Sequence, residues 1–548
     1  MTSAPQLLTD PFLQLPTETS VRVVWFTEFA GAKHIVTYGE NLKQAAKAST
    51  TKLSRTREDQ QSRVANQTQN GQVYQQPVGR NIWRHEAEVA GLTPNVRVNY
   101  RVTSVREDGE NVSSNIFTLA PTPKANTSLK ILLTSDHQLK PMTAANLQKV
   151  VETVGQVDGV WFAGDLVNTP DRASEWFDDN QGGALFPGLQ GRAKYEMQHN
   201  GVKTTYSGGE IIQHAPIFTC IGNHEVMGRF ARTRSLNGEF DDTIPRAVAQ
   251  RFYSGKSLID NSFNTNTYEE IFTLPTSKEG GKRYYAVSFG DVRLVVLYIT
   301  NMWRTPKLDA KHKGKYQEAE NNLDNPENWG YGQHIFEPIA KGSKQYNWLE
   351  EELQSPEFKQ AKYKVVMFHH PPHTLGDNIV PAYTDPIQII ERDGTESTIK
   401  AVRYEYHKNV DYIIRDVVPL IEAADVQFVF YGHSHLWNRF VSPSGMHFLE
   451  TSNVGNSYGA AWGDRKREVP IGYQEDYVKL GDPNGLEPVM PSIAPLLGED
   501  GQPLPYIASN DITVFSIFDT AIGTVSSYRF DTRKPDSKVV KFDEFKLK

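Results

Sequence analysis

From the start of the chain to about residue 122, apolar and polar positions alternate with a period of two. In Val96-Arg-Val-Asn-Tyr-Arg-Val102 this puts Val96, Val98, Tyr100 and Val102 on one face and Arg97, Asn99 and Arg101 on the other, which predicts a half-buried antiparallel strand. Val21-Arg-Val-Val-Trp-Phe-Thr27 predicts another, and Gly91-Leu-Thr-Pro-Asn95 supplies the kind of turn that separates strands in a sandwich. Residues 44–80, rich in Gln, Thr, Lys, Ser and Asn, offer little to bury and predict a long polar excursion from the sheet. No grouping of His, Asp and Glu stands out in this region, and its expected role is that of a structural, all-β sandwich.

Pro121-Thr-Pro-Lys-Ala-Asn126 cannot carry a strand ladder and predicts a linker. Beyond it the pattern changes to short unbroken apolar runs: Leu129–Thr134, Val160–Ala163, Ile217–Ile221, Val292–Leu297, Tyr363–Phe368 and Val426–Tyr431. Such runs suit strands covered on both faces. Patterns of helical period lie between several of them, at 144–154, 344–353 and 412–423, the last with Ile413, Val417, Leu420 and Ile421 apolar. The alternation predicts an α/β or layered α+β domain. Two insertions interrupt it, roughly 170–214 and 464–510. The second carries Pro470, Pro483, Pro488, Pro491, Pro495, Pro503 and Pro505, which predicts loop in place of regular structure.

A length of 548 residues agrees with this division, since it exceeds what one hydrophobic core normally serves. A net charge of −7 gives no electrostatic reason to expect nucleic acid or an anionic membrane as partner. The one cysteine, Cys220, sits inside an apolar run, so an intramolecular disulfide and a thiolate metal site are both excluded. The first ten residues lack a basic start and an apolar stretch, and no later run is long enough to span a membrane. The expected compartment on that basis is cytoplasmic.

The chemistry lies where the apolar runs end. Five of them are followed at once by polar clusters: Ser135-Asp-His-Gln138, Gly164-Asp-Leu-Val-Asn168, Gly222-Asn-His-Glu225, His369-His-Pro-Pro372 and Gly432-His-Ser-His435. Ligands gather at the carboxyl ends of strands in sheets of this kind, so five such clusters are expected to converge. Any one of them alone reads as a turn or an ordinary histidine. Together they offer carboxylate, amide oxygen and imidazole, a donor set for Mn, Fe, Zn or Mg. Two such ions sharing one carboxylate would polarise a phosphate ester and activate a water for attack on phosphorus, and the leaving alkoxide would need a proton, a task suited to histidine.

This series of motifs resembles the five blocks of the calcineurin-like metallophosphoesterase superfamily, over Leu129 to Arg439. Asp10-Pro-Phe-Leu-Gln-Leu-Pro-Thr17, Ala90-Gly-Leu-Thr-Pro94, Arg283–Gly290, Gln345–Glu350 and Gly432–Arg439 are similar to segments of one branch, the purple acid phosphatases, including its N-terminal fibronectin-III-like domain. The resemblance implies two mixed β-sheets flanked by helices with metals at the strand ends. It implies that Asp165 bridges the ions, that Asp136 and His435 bind the first, and that Asn223, His369 and His433 bind the second. His224 would be the proton donor or a phosphate contact; the plainer alternative is a His bonded to Glu225 that orders the loop. Two positions depart from the branch. Asn168 stands where its metal-binding tyrosine would be, and Gln138 stands where many superfamily members have His. Gln138 is then a neutral oxygen ligand, or His137 turns inward or meets substrate instead. His137, Asn168, His370 and Arg439 are candidates for support of the ligands or contact with substrate, and His373 is left to a supporting or surface role.

The expectation is therefore a sandwich at 1–122 and a metallophosphoesterase domain at 123–548. Two metal ions per chain, a divalent pair of Mn, Zn or Fe, would serve a small phosphorylated substrate. A phosphomonoesterase using metal-bound hydroxide is favoured. The same metal site on a phosphodiester or nucleotide is the alternative, and a non-catalytic binding protein on a decayed fold is the rival from another class.

Overall fold

The computed structural model describes residues 6–65, 67–69, 71–306, 313–394, 398–455, 457–468 and 479–548. Its N-terminal part is a sandwich of two antiparallel sheets. One has the order Phe12–Gln14, Ser20–Thr27, Trp83–Ala90, Ser49–Lys52; the other runs Asn111–Ser113, Val98–Val105, Lys33–Tyr38, Gln44–Lys47, with Phe117–Leu119 also paired to Val98–Val105. Val21, Val23, Trp25, Val36, Val89, Tyr100 and Val102 fill the space between them. The Trp25 indole N–H donates to Ser104 at 2.9 Å, which explains a polar residue on an inward position. Val96 departs from the expected face: the strand begins at Val98, and Val96 lies in the preceding turn, 47% exposed. The run Val21–Thr27 is apolar on both faces because it is covered on both. Val24 and Phe26 point away from the sandwich and join the core of the second domain, where Phe26 meets Phe177 at 4.9 Å.

That second domain holds two mixed sheets. The six-stranded one has the order Ile217–Thr219, Gly159–Phe162, Lys130–Thr134, Ile512–Asp519, Thr524–Asp531, Val540–Lys546, its first three strands parallel and the rest antiparallel. The seven-stranded one runs Tyr285–Phe289, Val292–Val296, Tyr363–Met367, Phe428–Tyr431, His447–Thr451, Trp437–Val441, Tyr506–Ile507, with a parallel centre and antiparallel ends. Alternate residues of one strand serve different cores. Val365 and Met367 pack toward the other sheet, whereas Val366 and Phe368 pack outward with Leu349, Leu353 and Ile421.

Helices cover the outside. Lys344–Leu353 starts at Ser343, whose hydroxyl accepts the Tyr346 N–H at 3.2 Å, and buries Tyr346, Leu349 and Leu353. Thr143–Val154 ends where Gly155 takes φ 70°. The expected helix at 412–423 is instead a wide π turn, Ile413–Val417, followed by α-helix Val418–Ala423. Pro419 lacks the N–H that a continuous α ladder would use there. Among the described residues no helix is long and apolar enough to cross a membrane.

The polar stretch 44–80 needs the largest correction. It contributes Gln44–Lys47 to one sheet and Ser49–Lys52 to the other, and after Leu53 it docks on the second domain through buried charges. Arg57 donates to Glu239 at 2.8 and 2.7 Å and to Asp171 at 2.9 Å, Arg172 donates to Asp59 at 3.1 Å, and the Ser174 hydroxyl donates to Glu58 at 2.9 Å. Arg57, Glu58 and Asp59 are all buried. Hydropathy cannot reveal a segment that is buried by ion pairing. Of the insertions, 170–214 is folded, with short helices Ala173–Phe177 and Leu185–Leu189 and a hairpin of Tyr195–His199 and Val202–Tyr206. The described part of 464–510 is irregular apart from Tyr506–Ile507, and 469–478 lies outside the described residues.

Candidate metal centre

The five polar clusters meet at one end of the paired sheets. The chain turns sharply there, and non-glycine residues accept left-handed backbone: Asp136 (φ 57°), Gln138 (43°), Asp165 (58°), His433 (84°) and His435 (58°). Each such residue costs about 1–3 kcal/mol, and the surrounding hydrogen bonds must hold it in place. Glu225 supplies three of these bonds. Its buried carboxylate accepts the N–H groups of Asp165 (2.8 Å), Leu166 (2.8 Å) and Gly222 (2.7 Å), tying two of the clusters together. Gly222 itself tolerates no side chain, since a Cβ would lie 2.2 Å from Asp165 Oδ1. Glu450 does the same for the last cluster, accepting from Ser434 N (2.7 Å), Ser452 Oγ (3.0 Å), Thr374 Oγ1 (3.0 Å) and Asn438 Nδ2 (3.1 Å).

Two sets of three candidate ligands form as a result, Asp165 with His369 and His433, and Asp136 with Asp165 and His435. Within each set the ligand atoms lie within 4.8 Å of one another, all five residues are buried, and Asp165 belongs to both. His369 Nδ1 donates to the Ala163 carbonyl at 2.7 Å, which turns Nε2 inward to 3.2 Å from Asp165, 3.2 Å from Asn223 Oδ1 and 3.0 Å from His433 Nδ1. His435 Nε2 is 3.5 Å from Asp136, whose carboxylate also accepts the His433 N–H at 3.0 Å and the Ser135 hydroxyl. Gln138 points its amide at Asp165, with Nε2 at 3.4 Å and a buried Oε1 that has no hydrogen-bond partner.

These donors fit a pair of hard or borderline cations. An orphaned amide oxygen, an oxygen of Asn223 and three imidazoles surround two carboxylates, with no thiol. The charge balance points the same way. Burial alone would raise the Asp136 carboxyl, but His435 with His369 and Lys140 holds it below the ordinary range. Burial alone would lower His369, yet Asp165 and Asp136 push it up to about 9. A buried imidazole drawn toward the cationic form by two carboxylates marks a position where positive charge is wanted. Glu225 is raised by burial and by Asp165, with its three N–H donors opposing.

The calcineurin-like phosphoesterase family matches residues 129–436, and the purple acid phosphatase N-terminal domain matches residues 9–120. The chain belongs to the calcineurin-like phosphoesterase family. A solved purple acid phosphatase, PPD1 from yellow lupin (Lupinus luteus) seeds, superimposes with a TM-score of 0.52 at 13% identity, covering 98% of this chain and 73% of that one. No curated protein matches the chain. The chain is thus a calcineurin-like metallophosphoesterase with an N-terminal domain of the purple acid phosphatase kind, within a group of phosphoric ester hydrolases that typically bind a dinuclear metal centre.

Asp136, Gln138, Asp165, Asn223, His369, His433 and His435 are thus brought together, and His224 lies beside them. Its backbone N–H donates to Asp165 at 2.9 Å, its Nδ1 bonds the Asn168 carbonyl at 2.7 Å, and its ring stacks on Phe240 at 4.9 Å. The bond to Glu225 weighed as an alternative is not made, because that carboxylate is occupied by backbone. His137 is turned away from the cluster: Nε2 meets Thr134 Oγ1 at 2.8 Å and the ring packs edge-on to Phe162. Burial, with Lys140 adding, brings its imidazole down to about 3. The Asn168 side chain donates to the backbone carbonyl of Gln138 at 2.8 Å and belongs to neither ligand set. His370 is buried against Tyr383 at 4.6 Å and outside both sets. Arg439 is not part of the site, since it is ion-paired with Asp543 at 2.8 Å in the core. His373 is not on the surface; it bonds Asp482 at 2.8 Å.

Two participants, Glu450 and Tyr458, escaped sequence reasoning. Glu225 closes the Gly-Asn-His-Glu block and was readable as its support, but Glu450 sits inside a buried strand with no local signal. Tyr458 comes from a glycine-flanked coil and lays its ring on His435 at 4.8 Å and 23°.

Proposed function

We propose that the chain hydrolyses small phosphate monoesters with a divalent metal pair. Asp165 would be shared, with Asp136, Gln138 and His435 on one ion and Asn223, His369 and His433 on the other. The observation that carries the reading is the pair of three-residue ligand sets with Asp165 common to both. When bound, the cations would polarise the ester and lower the pKa of water for attack on phosphorus. The remaining work falls to the chain. Glu225 and Glu450 hold the ligand loops in geometry that the backbone alone would not choose. The His224 Nδ1–H donates to the Asn168 carbonyl, so Nε2 is the ring nitrogen left free, and in the imidazolium form its proton would pass to the leaving oxygen. His224 also lines a cleft of about 430 Å³ with Thr169, Asn237 and Phe240, roomy enough for a small leaving group.

A divalent pair is favoured over a ferric centre by formal charge, since Asp136 and Asp165 are the only carboxylates in the two ligand sets and the side chain at Asn168 is neutral and engaged with the Gln138 carbonyl. The test is a panel of phosphomonoesters, phosphodiesters and nucleotides assayed with Mn, Zn, Fe(II) and Mg. Monoester turnover at least tenfold above diester turnover is expected; the reverse order would make diesters the substrate class.

A further inference from the structure

A pocket of about 380 Å³ shares Asp241 with the cleft that His224 lines, and its charged lining among the described residues is Arg229, Arg234, Arg304 and Lys313 with the carboxylates Asp241 and Asp242. Three of the cations converge on Asp242. Arg229 is bidentate to it at 2.8 and 2.7 Å, and Arg234 and Lys313 donate to the same group. Arg304 directs its two terminal nitrogens to the backbone carbonyls of Asp241, Thr243 and Gly330, and its buried Nε has no hydrogen-bond partner, so no carboxylate takes its guanidinium directly. The crowding is felt at Lys313. Burial first, then Arg304 and Arg229, bring its ammonium down to about 8 despite the contact with Asp242.

Like charges held this close in a partly dry pocket are stabilised by an anion that enters from outside, and guanidinium forks suit the flat faces of phosphate oxygens. Two ring contacts link the pocket wall to residues of the metal centre. Trp303, on its wall, stacks on Tyr458 at 6.2 Å, and Tyr458 lies on His435. Asp241, also on its wall, directly follows Phe240, the ring that carries His224.

We propose that this pocket is a subsite for a second phosphate of the substrate, so that the chain prefers esters carrying two phosphates over those carrying one. The proposal rests on the phosphoesterase reading of the metal centre for which phosphate is cleaved, while the subsite itself is tested separately. Arg234 is the residue to change: its side chain is 43% exposed, and Asp242 keeps Arg229 and Lys313 when it is lost.

Full-length, metal-loaded protein and its Arg234→Gln variant are assayed on a hexose 1,6-bisphosphate and on the matching hexose 6-phosphate. The expected result is a loss of about tenfold in kcat/KM on the bisphosphate, carried by KM, the scale of one charge-assisted hydrogen bond, with monophosphate turnover within about twofold of the parent. Equal losses on both substrates, or no loss on either, would overturn the subsite. If neither substrate were turned over, the phosphoesterase reading would fail, and calorimetric titration of the same two compounds would decide the subsite alone. Weaker bisphosphate binding in Arg234→Gln with unchanged monophosphate binding upholds it, and equal changes overturn it.

Discussion

Replacing Arg57 with Met would keep an apolar stem of similar length and remove the guanidinium that ties the N-terminal sandwich to the second domain. Arg57 is 7% exposed, and its partners Asp171 and Glu239 are 1% and 0% exposed. The substitution leaves two buried carboxylates without their cation, a situation that costs about 3–5 kcal/mol when one partner of a buried pair is removed. An exposed pair would cost at most about 1 kcal/mol. The cost should depend on pH. Burial already raises Glu239 against the opposing pull of Arg57, and without Arg57 its folded-state pKa must rise further. A group whose folded pKa lies above its unfolded value favours the fold below that range and loses the advantage as pH climbs through it. Arg57→Met should therefore be more damaging at pH 8 than at pH 5. Urea unfolding at both values, with Arg57→Met, Glu239→Gln and the double variant, measures the coupling. A loss under about 1 kcal/mol that is independent of pH would show that water reaches these carboxylates and that the reasoning is wrong.

His224→Ala should harm alkyl phosphates far more than activated aryl phosphates, because only the poor leaving group needs a donated proton; equal losses at unchanged metal content would leave orientation as its role. In the sandwich, burial, with His34 and Arg84 adding, brings His85 down to about 3, so its neutral form belongs to the fold. That contribution is complete above the unfolded pKa near 6.5 and lost as pH falls toward 3, amounting to a decline of up to about 2 kcal/mol between pH 6.5 and 5. His85→Gln should flatten the slope in thermal melts, and an unchanged slope would contradict the assignment. Active protein should be colourless; a strong visible band with stoichiometric ferric iron, abolished by Tyr458→Phe, would show that this tyrosine binds metal after all.

The legible parts of the molecule are those written in local pattern. Runs such as Tyr363–Phe368 announce strands buried on both faces, and the five blocks at their ends name most of the cluster. Tertiary contact decided the rest. His137 and Gln138 are adjacent and both are plausible ligands, and only the left-handed turn at Gln138, with Thr134 and Phe162 waiting for the imidazole, separates them. Arg439 lies in a motif segment but faces Asp543, a residue more than a hundred positions away. The stretch around Arg57 looks like solvated loop because its burial depends on Asp171, Glu239 and Arg172 from the other domain. A truncation to residues 123–548 would expose those charges together with the apolar patch covered by Phe12 and Phe26, so the second domain is expected to be less self-sufficient than its sequence suggests.

The central claim is that Asp165 serves two ions at once, and metal analysis of the purified chain alongside Asp165→Ala tests it most directly. The account predicts two divalent ions per parent chain and, in a variant that keeps its folded circular dichroism spectrum, loss of both ions and of phosphatase turnover. A folded Asp165→Ala chain that still holds two ions would contradict it.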